Sequence, residues 1–294
     1  MTFDRESKNS VPLLDQQLET SLDDIGIPPR PRILELIVLE TRKSDPDLNH
    51  MADLIRSDVA LAAGLIKTAN SPFFGYKQKT RNVRDAITML GMRNTTNAVA
   101  GLVLRHVFPL PPQLTRFWDA SERTAQLAAW LVNKVGVRFG VTPDEAYTFA
   151  LFRDCGIPIM MRRFPDYVAA LEQANHEAEL AFTAAEETQF PTNHAVVGTL
   201  MVQSWWLPEE LCLAIRYHHD AVALAEGGLI GASSRQIALA QLAEKLHQEI
   251  SNLNVTREWD KLGASSLRLL DLGDTVPEEL VEEAKVFLEG LAEY

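Results

Sequence analysis

The chain has 294 residues and sets 28 Lys and Arg against 40 Asp and Glu, a formal net charge of −12 that argues against nucleic acid as the main partner, because affinity for a phosphate backbone comes chiefly from basic side chains. With 46% hydrophobic and 23% charged residues the composition is that of an ordinary globular protein and excludes a disordered or repetitive chain. Two cysteines, Cys155 and Cys212, are too few for a disulfide framework and read as buried, reduced thiols.

Residues 1–14 read as a flexible, polar N-terminus, with Val11, Leu13, Leu14 and Leu18 opening a short amphipathic segment. Ile27-Pro28-Pro29-Arg30-Pro31 cannot be helical throughout, since each proline removes a donor and restricts its predecessor. It leads into a helix carrying Ile33, Leu36 and Ile37 that stops before Ser44-Asp45-Pro46-Asp47. Leu48, Met51, Leu54 and Ile55 mark the next helix, and Asp58 the N-cap of a third containing Val59, Ala62, Ala63, Ile66 and Ala69. Asn70-Ser71-Pro72-Phe73-Phe74-Gly75 ends it. Val83, Ile87 and Leu90 rebuild a helical face capped by Gly91, and a further apolar helix runs from Asn94 to about Val107. Pro109, Pro111 and Pro112 close this lobe, taken as residues 15–112.

The second lobe, 113–250, opens with a long helix from about Gln113 to Phe139. Thr142-Pro143-Asp144-Glu145 is a helix start with Thr as N-cap, Pro at the first position and Glu closing a capping box. Pro165, Pro191 and Pro208 each precede another helix, and Ser233-Ser234 is expected to cap one running through Leu239, Leu242 and Leu246. Residues 251–294 form a helical appendix whose last helix starts at Thr275-Val276-Pro277. No segment alternates as a strand does, so the fold class is all-α, a two-lobe helical bundle. Ala195–Leu207 is too short and too polar to span a bilayer and reads as a core helix. No secretory pattern opens the chain, so the expected setting is the cytoplasm, without membrane contact.

Asp154, His194 and His218-His219 are the chemically suggestive residues, all at predicted helix ends of the second lobe. Imidazoles and carboxylates offered by several helices of one bundle can hold a divalent ion that activates water. By spacing alone they read first as caps or hydrogen-bonded core residues, since His194 is far in sequence from both Asp154 and His218. Phe73-Phe74 and Trp205-Trp206 could anchor a partner, although core positions are expected for most of them. Arg81, Arg84, Arg93 and Arg105 are expected to be a solvated face.

Ile27-Pro28-Pro29, Ile55-Arg56-Ser57-Asp58, Ala69-Asn70-Ser71-Pro72-Phe73-Phe74-Gly75 and Ala86-Ile87-Thr88-Met89-Leu90-Gly91 resemble the consecutive motifs of HDOD (HD-related output) domains. So do Asn193-His194-Ala195-Val196-Val197-Gly198, Trp206-Leu207-Pro208 and Ile215-Arg216-Tyr217-His218-His219. The resemblance implies an HDOD-specific N-terminal bundle, an HD-like second lobe, and a bacterial signal-transduction role of the kind associated with response regulators. It also implies kinship with HD and HD-GYP phosphohydrolases, whose adjacent His-Asp pair binds metal. Here that pair reads Arg153-Asp154, and the other two ligand positions fall on Ala120 and Gln241.

A guanidinium offers no lone pair to a metal, so Arg153 is expected to pair with Asp154 and repel a cation. Ala120, Arg153, Asp154, His194, His218, His219 and Gln241 are therefore taken as vestigial metal-site positions, with no catalytic residue, no bound metal and no cofactor expected. The expected activity is non-enzymatic and regulatory, through contacts with signalling proteins, with Phe73 and Phe74 as a possible surface. Two alternatives stay open: a metal-dependent phosphohydrolase acting on a nucleotide, and a sensor of a nucleotide or other small anion using Arg153.

Overall fold

Side-chain caps set the helix starts much as the sequence patterning demands. In the computed structural model, which describes residues 25–71, 79–108, 115–135, 140–225, 229, 232–253 and 256–292, every regular element among them is an α-helix. The first three are α1 (Arg32–Thr41), α2 (Leu48–Arg56) and α3 (Val59–Ala69). Asp47 caps α2 by accepting from the amides of Asn49 and His50, and Asp58 caps α3 through Ala60 and Leu61. Helix α4 (Val83–Val107) is two helices in one, broken at Gly91 where φ is +75°. That left-handed conformation is one a residue with a side chain rarely adopts. Helices α1, α2 and α3 all pack on α4.

The remaining helices are α5 (Thr115–Val135), α6 (Pro143–Phe152), α7 (Ile157–Arg163), α8 (Tyr167–His176), α9 (Phe182–Glu187), α10 (His194–Ser204), α11 (Glu209–Tyr217), α12 (Ala232–Ser251), α13 (Glu258–Leu269) and α14 (Glu278–Ala292). Helix α12 lies among them, against α5, α6, α11, α13 and α14. Helix α6 starts with the expected capping box, in which Glu145 accepts from the Thr142 amide at 3.0 Å. Helix α4 packs on α6, joining the two groups of helices. One continuous core results, with Leu34, Ile37, Leu65 and Leu104 at one end and Phe149, Phe152, Trp205 and Leu242 at the other.

Two expectations need correction. Ser233 and Ser234 do not cap α12; both are buried within its first turn, and the Ser233 hydroxyl donates to the Glu210 carbonyl. Arg93 and Arg105 are not simply solvated, since they pair with Glu145 at 2.6 Å and Glu122 at 2.8 Å, tying α4 to α6 and α5. Trp205 is fully buried as expected, whereas Trp206 sits at φ +61°, its ring covered by the Arg30 guanidinium 3.3 Å away. A bulky residue in that backbone region costs about 1–2 kcal/mol, and stacking of the desolvated cation recovers a comparable amount, about 2 kcal/mol. Phe73, Phe74, the segment around Val11–Leu18 and the proline cluster 109–112 lie outside the described residues.

Candidate metal-ligand cluster

Three segments of the chain deliver four side chains to one buried point. Asp154 comes from the turn between α6 and α7, His194 from the first position of α10, and His218 and His219 from just beyond α11. Asn193 fixes the start of α10 by accepting from the Val196 amide at 2.9 Å. Close packing of Gly156 against the His194 carbonyl and the Gly198 amide brings the Asp154 turn onto α10. The result contrasts with the wide sequence spacing: His194, His218 and His219 are 0%, 1% and 8% exposed.

The Nε2 of His194 is 3.3 Å from that of His218 and 3.2 Å from that of His219. Asp154 Oδ1 lies 3.3 Å from His218 Nε2 and 3.7 Å from His194 Nε2. All four ligand atoms fall within 4.8 Å of one another. A tetrahedral ion with ligands at 2.0–2.1 Å sets them about 3.3 Å apart, a spacing that three of these four separations meet closely.

The far side of each ring decides what the near side carries. His194 Nδ1 donates to Glu186 at 2.7 Å, His219 Nδ1 to Glu258 at 2.6 Å, and His218 Nδ1 to the Ile215 carbonyl at 2.8 Å. A proton held on Nδ1 of each ring leaves its Nε2 to face the others. Glu186 is itself fully buried and also accepts from the Tyr167 hydroxyl. Phe182 walls the cluster, stacked on His219 with ring centroids 4.7 Å apart.

Arg153 stands outside this cluster rather than at its centre. Its Nε meets Asp154 Oδ2 at 3.0 Å and its Nη2 meets Glu244 Oε1 at 2.8 Å, leaving Asp154 Oδ1 to face the imidazoles. The expected pairing with Asp154 is there, joined by a second acid. Burial opposes charge on Asp154, but Arg153 and then His218 hold its carboxyl well below the usual carboxylate range. Burial likewise works against charge on Arg153, yet Glu244 and Asp154 push its pKa further up. Burial disfavours a proton on both His194 and His219; Glu186 reverses this for His194, whose pKa is raised, while His219, facing two other imidazoles, is lowered well below its ordinary value. A proton accepted at one ring suppresses the next.

Gln241 does not face the cluster as a ligand; its amide approaches the His218 carbonyl at 3.4 Å. Ala120 is half-buried on α5 and offers no donor atom. Sequence reasoning missed Glu186, Glu244 and Glu258. Glu244 was within reach, lying three residues after Gln241 and hence on the same face of α12. Nothing local singles out Glu186 or Glu258, which become relevant only once α9 and α13 fold against the imidazoles.

This arrangement defines an all-helical protein with a buried imidazole and carboxylate cluster, and similar proteins are known. The chain belongs to the HDOD domain family, whose model matches residues 27–221. An uncharacterized protein of Treponema pallidum (strain Nichols) is 26% identical over 219 residues, 73% of this chain but 41% of that protein; the chain thus spans less than half the length of this curated relative. Among solved structures, a protein of Shewanella amazonensis SB2B named as a candidate metal-dependent phosphohydrolase superposes with TM-score 0.64 at 16% identity, over 94% of this chain and 97% of that one. A Marinobacter aquaeolei VT8 protein, named as a candidate signal transduction protein, gives TM-score 0.61 at 20% identity over 96% of this chain and 67% of that one. Both likenesses show the fold alone. Among the described residues no helix is long and apolar enough to cross a membrane.

Proposed function

We propose that this chain is a non-catalytic regulatory module that acts through contacts with signalling proteins. The observation that carries the reading is the buried Arg153 guanidinium, paired with both Asp154 Oδ2 and Glu244. In a two-ion phosphohydrolase a bridging carboxylate oxygen and further ligands would hold a second ion there to polarise the substrate. Here that oxygen is already neutralised by a permanent cation, and Ala120 and Gln241 supply no ligand. The same pairing disfavours an anion pocket, because two faces of the guanidinium are engaged by the protein's own acids. HDOD family membership and the Marinobacter relative named for signal transduction agree with an output role.

The test is turnover. The purified full chain, supplied in turn with Mn2+, Fe2+ and Zn2+, is expected to hydrolyse neither bis(p-nitrophenyl) phosphate nor a panel of nucleotides. Metal-dependent hydrolysis abolished in Asp154→Ala would overturn the reading. The binding half is tested by in-cell cross-linking of the full chain, which is expected to recover a signalling protein in a stoichiometric complex.

A further inference from the structure

We infer that the cavity between α1, the part of α4 after Gly91 and the α10–α11 connection binds a small organic oxyanion, a carboxylate or phosphate on an apolar body. The cavity measures about 350 Å3, and Val38, Arg42, Met92, Arg93, Asn97 and Trp206 line it. That volume lies within the range of small-molecule sites. Among the described residues no acid lines it, in a chain whose net charge is −12. An arginine-lined hollow in an acidic molecule selects against cations and concentrates anions.

Two side chains there want a partner that the fold does not supply. Asn97 is 6% exposed, yet its side-chain amide bonds to no described residue. A buried amide left this way is destabilising, and its persistence points to a molecule that completes it. Arg42 forms no ion pair among the described residues; its guanidinium lies 4.9 Å from the Trp206 ring centre, and Arg30 covers that ring at 3.3 Å. Two cations thus share one indole. Burial lowers the pKa of Arg30, and Arg42 adds to that effect against the relief given by Glu35. Arg93 is already paired with Glu145, so Arg42 is the cation left for a guest. An oxyanion placed at Arg42 relieves the repulsion and accepts from the Asn97 amide. Val38, Met92 and the Trp206 ring then cover an apolar body, which a bare inorganic ion would not fill. Trp206 itself is held at φ +61°, strain of the kind that recurs at ligand clamps. The walls belong to both groups of helices, so a guest favours one packing of them over another, the differential affinity that regulation needs. The site goes beyond the non-catalytic reading and stands without it, since hydrolytic turnover would leave it intact.

The experiment is calorimetric titration of the full chain with phenyl phosphate, benzoate, inorganic phosphate and phenol. Saturable one-to-one binding of phenyl phosphate or benzoate is expected, with none of phenol, and the tighter of the two identifies the head group. Absence of binding by both up to ~10 mM would overturn the proposal. Inorganic phosphate binding as tightly as phenyl phosphate would refute the apolar half of the site. Arg42→Gln is expected to weaken binding about tenfold or more, whereas Arg32→Gln, which removes an exposed charge from the same helix, should leave it unchanged. Equal losses in both would reduce the effect to net charge and overturn the site. Asn97→Leu, close in volume, is expected to abolish binding while raising the melting temperature of the unliganded chain, because no bond within the protein is lost. A lowered melting temperature would show that the amide serves the fold and remove it from the site.

Discussion

Replacing Gly156 by alanine tests how the three segments that carry the four cluster side chains are assembled. A Cβ built there falls onto the His194 carbonyl oxygen and 2.8 Å from the Gly198 amide nitrogen, both backbone atoms that cannot rotate away. From 2.0 Å to the His194 oxygen, reaching ordinary contact requires about 1.4 Å or more of separation between the Asp154 turn and α10. The ligand atoms are only 3.2–3.7 Å apart along four edges, so such a shift removes Asp154 from ligand distance of His194. Overpacking of a close-fitting site costs about 1–3 kcal/mol and more where nothing can yield, and here both neighbours are main chain. Urea denaturation of Gly156→Ala is expected to show a loss of about 3 kcal/mol or more. Gly290→Ala is the control: it lies in α14 with nothing within 4 Å, and should gain about 0.5–1 kcal/mol. A Gly156→Ala midpoint within about 0.5 kcal/mol of the parent would refute the argument that this contact sets the cluster's geometry.

Three further outcomes follow from named groups. Arg153→Met strands Asp154 and Glu244 and should cost about 3–5 kcal/mol in denaturant; adding Glu244→Gln should recover part of it, and a strictly additive double-mutant cycle would deny the pairing. Burial raises the Cys155 thiol well above its ordinary range and pushes Cys212 up to about 11, so at pH 8 about one Cys212 in a thousand is thiolate. Ellman's reagent should therefore label neither native cysteine quickly, and two after unfolding; a fast stoichiometric native phase would contradict this. Burial, then Arg123 and Arg153, lowers the pKa of His247, so the unfolded chain takes up its proton first as pH falls. Stability contributed there is greatest above the unfolded value near 6.5 and is lost as pH falls toward the folded value, at no more than about 1.4 kcal/mol per unit. His247→Gln should flatten the stability difference between pH 7.5 and pH 5.5, and an unchanged slope would show that His247 does not titrate this way.

Helix existence was legible because its signals are local. Asp58 and the Thr142-to-Glu145 box each satisfy amides within three residues, so sequence spacing alone exposes them. Gly91 was legible for the same reason, since a positive φ after Leu90 favours a residue without a side chain. The Ser233 reading failed because a serine near a helix start has two uses; its hydroxyl bonds the Glu210 carbonyl of another helix, a partner that only tertiary packing provides. Arg93 and Arg105 failed similarly, their acids lying on α6 and α5.

The candidate site was legible only on its ligand side. Asp154, His194, His218 and His219 stand out as residue types able to bind a metal, and the structure brings all four together. What turns them into a site is the ring of acceptors behind them, and Glu186 and Glu258 are ordinary surface-type acids until burial gives their charge a cost. Buried to 0% and 3% exposure, each needs a compensating donor or cation. Glu258 finds Lys261 and His219; Glu186 finds Tyr167, His194 and the His194 amide. Arg153 therefore places a tethered cation on one oxygen of Asp154, while the other oxygen faces the His218 and His194 imidazoles at 3.3 and 3.7 Å.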